Sequence, residues 1–121
     1  MRNDLQQRLF LFAVRVFNFL KTLPNFSEYS VVRYQLAKSA TSSGANYEEA
    51  QAASSKADFI YKNEISLREM RESNYWLLLL TATDESNKLN KEELKYLENE
   101  SEELKKILGS IVSKSKLNNE H

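Results

Sequence analysis

Residues 5–23 carry apolar side chains in two helical rows at once, and such a helix is costly to leave standing in water. Leu5, Leu9, Phe12, Val16, Phe19 and Leu23 alternate spacings of four and three, the period of a bundle seam. Phe10, Ala13, Val14, Phe17 and Leu20 form a second row on another side. A helix apolar nearly all round is usually buried all round. A chain of 121 residues has few other elements to cover it. The second row is therefore expected to meet another copy of the chain, with Phe10, Val14 and Phe17 at the contact.

Two Gly and one Pro leave few places for turns and little support for a sheet. The first helix is predicted over residues 4–23, closed by Pro24, whose ring lacks an N–H donor and disfavours helix at the preceding residue. A second helix is predicted over residues 28–53. Its centre, residues 37–45, holds only small or short polar side chains apart from Lys38. Gly44 there costs about 1 kcal/mol relative to Ala, so a close helix crossing is expected, the alternatives being a loop at Ser42-Ser43-Gly44 or a phosphate-cradling turn. No Gly-x-x-x-x-Gly-Lys spacing supports a nucleotide loop. Ser55, with Asp58 three residues on, signals a third helix over 56–84. Asn90, with Glu93 three residues on, signals a fourth over 91–116, beyond which residues 116–121 are expected to fray. The fourth carries the stripe Leu94, Leu97, Ser101, Leu104, Leu108, Ile111 and Ser115. Four helices with short links predict an all-α chain of one domain, an antiparallel up-and-down four-helix bundle.

Seventeen basic residues balance seventeen acidic ones, unevenly. The first forty positions hold six bases, including Arg2, Arg8, Arg15, Lys21, Arg33 and Lys38, against two acids, so the rest of the chain is correspondingly acidic. Arg8, Arg15, Arg33 and Lys38 could form one basic face for RNA or DNA, since phosphate neutralisation supplies most non-specific affinity. The alternative is that these charges solvate helix surfaces and pair between subunits.

The residue inventory argues against catalysis. No Cys is present, and the one His is residue 121, so the Glu-x-x-His recipe of a di-iron bundle fails on ligands. Glu48, Glu49, Glu64, Glu69 and Glu72 could gather an all-oxygen cation site, but Arg68 and Arg71 interleave with the last two. No metal and no cofactor is called for, and no nucleophile stands beside a base. The Tyr75-Trp76 pair could stack on a nucleic-acid base, though beside four leucines it reads as core or interface. Asn74, between Met70 and Leu77, suits a buried polar group that specifies register or an exposed one. The longest near-continuous apolar run, residues 9–20, is too short to cross a bilayer, which needs roughly 20 residues. No membrane association and a cytoplasmic location are expected.

Several motifs within residues 35–80 resemble the four-helix-bundle proteins encoded in intervening sequences of bacterial 23S ribosomal RNA genes. They are Gln35-Leu36; Ser39-x-Thr41-Ser42-x-Gly44-Ala45-Asn46-x-Glu48-Glu49-Ala50-Gln51; Ser55-Lys56-x-Asp58-Phe59-Ile60; and Leu67-x-Glu69-x-Arg71-Glu72-Ser73-x-Tyr75-Trp76-Leu77. Phe12-Ala13-Val14-Arg15 agrees with that family's first helix. The resemblance implies a homo-oligomer, typically a ring of five, without enzymatic activity. Under it Gly44, Asn46, Glu48, Glu49, Glu69, Arg71 and Glu72 are structural or subunit-contact positions, and Tyr75 and Trp76 join the interface set. The chain is similar also to the accessory proteins of diversity-generating retroelements, which engage nucleic acid and a reverse transcriptase. This makes nucleic acid, or a protein that processes it, the alternative partner. Those proteins are strongly basic, whereas this chain has no net charge.

Overall fold

A computed structural model of the chain describes residues 3–85 and 87–119. Four helices follow one another, α1 (Asp4–Leu20), α2 (Ser27–Gln51), α3 (Lys56–Thr83) and α4 (Lys91–Asn119), with no strand among the described residues. Arg2 and His121 lie outside the described residues, as does the end of the segment expected to fray.

Each start has a local cause. Asn3 Oδ1 accepts from Gln6 N, and Gln6 Oε1 accepts in return from Asn3 N, both at 2.7 Å, so two of the free amides of α1 are satisfied at once. Ser55 Oγ caps α3 through Asp58 N at 3.0 Å. Asn90 Oδ1 caps α4 through Glu93 N at 3.1 Å. The Glu93 carboxylate, expected beside that cap, reaches across to Arg15 instead.

Three boundaries differ from the sequence expectation by two residues or more. α1 stops at Leu20, because Thr22 N and Leu23 N turn back onto Phe19 O and Leu20 O before Pro24; Leu23 stays buried in that turn. α2 ends at Gln51, its last turn tightened by Ala52 N and Ala53 N bonding to Glu49 O and Ala50 O. α4 stays helical to Asn119 instead of fraying from 116; Lys116 Nζ binds Glu64 Oε2 at 2.8 Å and ties that end to α3. Within α4, Val112 is buried where Ile111 was expected; Ile111 is only partly covered.

Contacts across the bundle set its register. Leu9 lies beside Gly44 and Gln6 bonds Glu48; Ser39 meets Ser73 and Ser43 meets Ser66; Asn74 meets Ser101; Arg8 meets Glu100 and Arg15 meets Glu93. In every pair, advancing along one helix retreats along the next, so neighbours are antiparallel. Each helix touches only the two adjacent in the order α1, α2, α3, α4 and back to α1, which is the up-and-down arrangement. The core is one apolar column that includes Leu9, Phe12, Val16, Leu36, Met70, Leu77, Leu97, Leu104 and Leu108.

The close crossing falls in the small-residue stretch 37–45, as expected, but at Ser43 and not at Gly44 itself. α2 is continuous through Ser42-Ser43-Gly44, so no loop splits it there. A Cβ on Gly44 would sit 3.7 Å from Leu9, an ordinary contact, so α1 alone does not demand glycine. The tight approach lies between α2 and α3. Ser43 Oγ donates to Ser66 O at 2.8 Å and Ser66 Oγ donates to Ser43 O at 2.7 Å, bonds that only closely spaced backbones permit. Each hydroxyl has one proton and spends it on the opposing carbonyl, which satisfies the polar groups of this dry layer.

Candidate functional site

α1 divides its apolar residues between inside and outside. The seam from Leu9 to Leu23 is buried, and Leu20, expected in the outer row, is buried with it. Phe10, Val14 and Phe17 remain on the surface at 50%, 39% and 45% exposure, with Leu11 at 47% beside them. Spacings of four and three place the three on one stripe, about 10 Å long at 1.5 Å per residue. Next to the stripe, Leu9, Phe10 and Ala13 of α1 and Thr41, Gly44 and Ala45 of α2 line an apolar groove of about 240 Å³, closed at one end by Gln6 and Glu48. A second apolar recess, formed by Phe17, Leu20 and Ala37, continues the face toward Lys21 and Arg33. Val31 and Tyr34 on the outside of α2 are also exposed. A contiguous apolar face flanked by polar groups marks an interaction surface more often than a catalytic one.

Tyr75 and Trp76 do not act as a pair. Tyr75 is exposed, whereas Trp76 packs partly against the core and points its Nε1 at Glu72 Oε2, 3.4 Å away. The rings meet edge to face with centroids 5.2 Å apart. Neighbours on a helix diverge by about 100°, so only one of them can face inward.

The four basic residues do not share a face. Arg8 makes a forked contact with Glu100, at 2.8 and 3.1 Å, and reaches Glu103 as well. Arg15 forks onto Glu93 and lies 3.5 Å from the centre of the Tyr96 ring. Both guanidinium groups are held above their ordinary pKa, chiefly by those hydrogen bonds. Arg33 instead donates to the carbonyls of Leu23 and Pro24, and Lys38 lies on the side of α2 that faces Glu69. Arg8 and Arg15 are thus matched within the chain, against α4, and are not available to a cationic surface shared with Arg33 and Lys38.

The motif residues serve α2 and α3. Asn46 Nδ2 bonds back to Ser42 O and Oγ, Glu49 pairs with Lys62 at 2.8 Å, and Glu48 accepts from Gln6 at 3.2 Å. Arg71 is exposed. Among the described residues no three His, Cys, Asp or Glu side chains are placed to hold a metal ion, and no helix is long and apolar enough to cross a membrane.

Among the described residues Glu69 is the acid whose pKa is clearly shifted. Burial raises its pKa first, the Glu72 carboxylate adds to the rise, and Arg68 and Lys38 oppose it. A carboxyl raised in the folded state favours folding most when protonated, so that contribution fades as pH climbs from the ordinary carboxylate value through the raised one. Glu69→Gln is therefore expected to stabilise the protein at neutral pH by only about 0.5 kcal/mol, the group being only partly buried and its charge screened by solvent. It should also flatten the urea midpoint against pH above the ordinary carboxylate value; an unchanged pH profile would contradict this.

The sequence reading missed most of the polar side chains of the core. Ser39, Ser43, Asn63, Ser66 and Ser73 are fully buried, as is Ser101, which the stripe of α4 had included, and Asn74 is nearly so. Asn74, open between a buried and an exposed reading, is buried: its Nδ2 donates to Ser101 Oγ at 2.9 Å and its Oδ1 accepts from Lys105. The signal lay in α3, where residues 63, 66, 70, 73, 77 and 80 alternate by three and four, so the seam of Met70, Leu77 and Leu80 continues through Asn63, Ser66 and Ser73.

The comparisons with known proteins agree with this architecture. Residues 1–110 match the family model described as 23S rRNA-intervening sequence protein. A crystal structure of a protein of unknown function from the S23 ribosomal protein family of Bacteroides thetaiotaomicron aligns with a TM-score of 0.78 and 40% identity, over 89% of this chain and 97% of that one. No curated protein matches the chain.

Proposed function

We propose that this chain, which belongs to the 23S rRNA-intervening sequence protein family, is a non-catalytic scaffold of the cytoplasm that works as a homo-oligomer, with a ring of five copies as the assembly. The observation that carries the reading is the outer stripe of α1. The four helices close their core on Leu9, Phe12 and Val16, yet leave Phe10, Val14 and Phe17 half in water beside an apolar groove. Covering such a face removes apolar surface at roughly 25 cal/mol per Å², and a second copy is the partner always at hand. The carboxylates nearest to a chemical role are engaged in holding helices: Glu93 and Glu100 clamp α1, Glu49 holds Lys62, and Glu72 meets the Trp76 indole. That leaves assembly as the reading with the best physical support.

Light scattering of the purified protein tests it. The expected mass at micromolar concentration is a multiple of the 14.1 kDa chain, five-fold for the ring. A monomer that persists at that concentration would refute self-association, and another multiple would correct the ring size.

A further inference from the structure

Most of the buried polar side chains of the core come in matched pairs. Ser39 pairs with Ser73, Ser43 with Ser66, and Asn74 with Ser101. Asn63 on α3 is fully buried. Its Nδ2 donates to Phe59 O at 2.9 Å, which settles the end of the amide that carries the hydrogens. Its Oδ1, inaccessible from outside, has no hydrogen-bond donor among the described residues. Buried amide oxygens without a donor are rare in folded proteins, and an enclosed water is their commonest partner.

The short contact of Asn74 with Ser101 puts the level of α4 opposite Asn63 at about Val112, a buried apolar residue that cannot donate to the amide oxygen. Internal waters occur at roughly one per 27 residues, each with two to four hydrogen bonds.

We propose that a single internal water is bound at Asn63 within the bundle, donating to its Oδ1. This water completes the polar end of the α3 seam, just as Ser101 completes Asn74 toward its middle. It also explains how asparagine is held at a position of the same period as Met70 and Leu77.

A crystal structure of the unmodified protein, at a resolution that shows ordered solvent, tests the site directly. The expected result is a density peak roughly 2.8 Å from Asn63 Oδ1. A dry site, or an Oδ1 bonded to a protein donor, would overturn the proposal. In solution, water-oxygen magnetic relaxation dispersion should count one long-lived water fewer in Asn63→Leu than in the parent. Equal counts in a folded variant would overturn it too, and should that variant not fold, the crystal structure decides alone.

Discussion

Phe10→Glu combined with Phe17→Glu is expected to release the chain as a folded monomer near the single-chain mass of 14.1 kDa. Both side chains are about half exposed, so the charges enter water in the separated chain and leave the core of Leu9, Phe12 and Val16 untouched. In an assembly the same carboxylates would be buried without partners, which costs several kcal/mol. Large aromatic anchors at the centre of an interface are worth about 2 kcal/mol or more each. Losing two weakens association by about three orders of magnitude, at 1.4 kcal/mol per tenfold. Sedimentation velocity reads the mass, and far-ultraviolet circular dichroism reads the helices. A variant that keeps the parent mass would place the subunit contact away from the outer stripe of α1. A variant that loses its helices would mean that the stripe is part of the core.

Phe12→Ala is expected to act oppositely. Phe12 is 1% exposed and packed in the apolar column with its α1 neighbours. Truncating it removes a buried ring and leaves a cavity, at a cost of about 3–5 kcal/mol. For a domain with about 5–15 kcal/mol to lose, that is a large share of its stability. Urea unfolding should be compared in the dissociated Phe10→Glu/Phe17→Glu background, because assembly would otherwise add a concentration-dependent contribution. A cost below about 1.5 kcal/mol would show that the inner row does not carry the core. Phe10 and Phe12, two residues apart on one helix, thus separate assembly from folding.

How legible each feature was depended on whether one residue type could signal it. The inner seam of α1 and the stripe of α4 were plain, because a heptad of large apolar residues has few other uses. Ser55 and Asn90 were readable as caps because a short polar side chain before a helix has a local partner. The buried serines of α2 and α3 were not, since serine is as common in water as in a tight crossing, and only the facing carbonyl shows which applies. Arg8 and Arg15 read as a basic face because charge carries no record of its partner. Glu93 and Glu100 stand far off in sequence and, like the two arginines, are seven residues apart.

The amino-acid order by itself determined that this chain makes four helices, where most of them start, and that α1 holds more apolar surface than one seam can use. Periodicity, caps and the scarcity of glycine and proline act over a few residues, so they need no knowledge of the fold. Only the tertiary structure decided which row of α1 turns inward, that Leu20 belongs with it, and that the first helix is clamped to the last by two forked ion pairs. These outcomes depend on registry between segments up to about ninety residues apart, which is fixed by packing and pairing across the bundle.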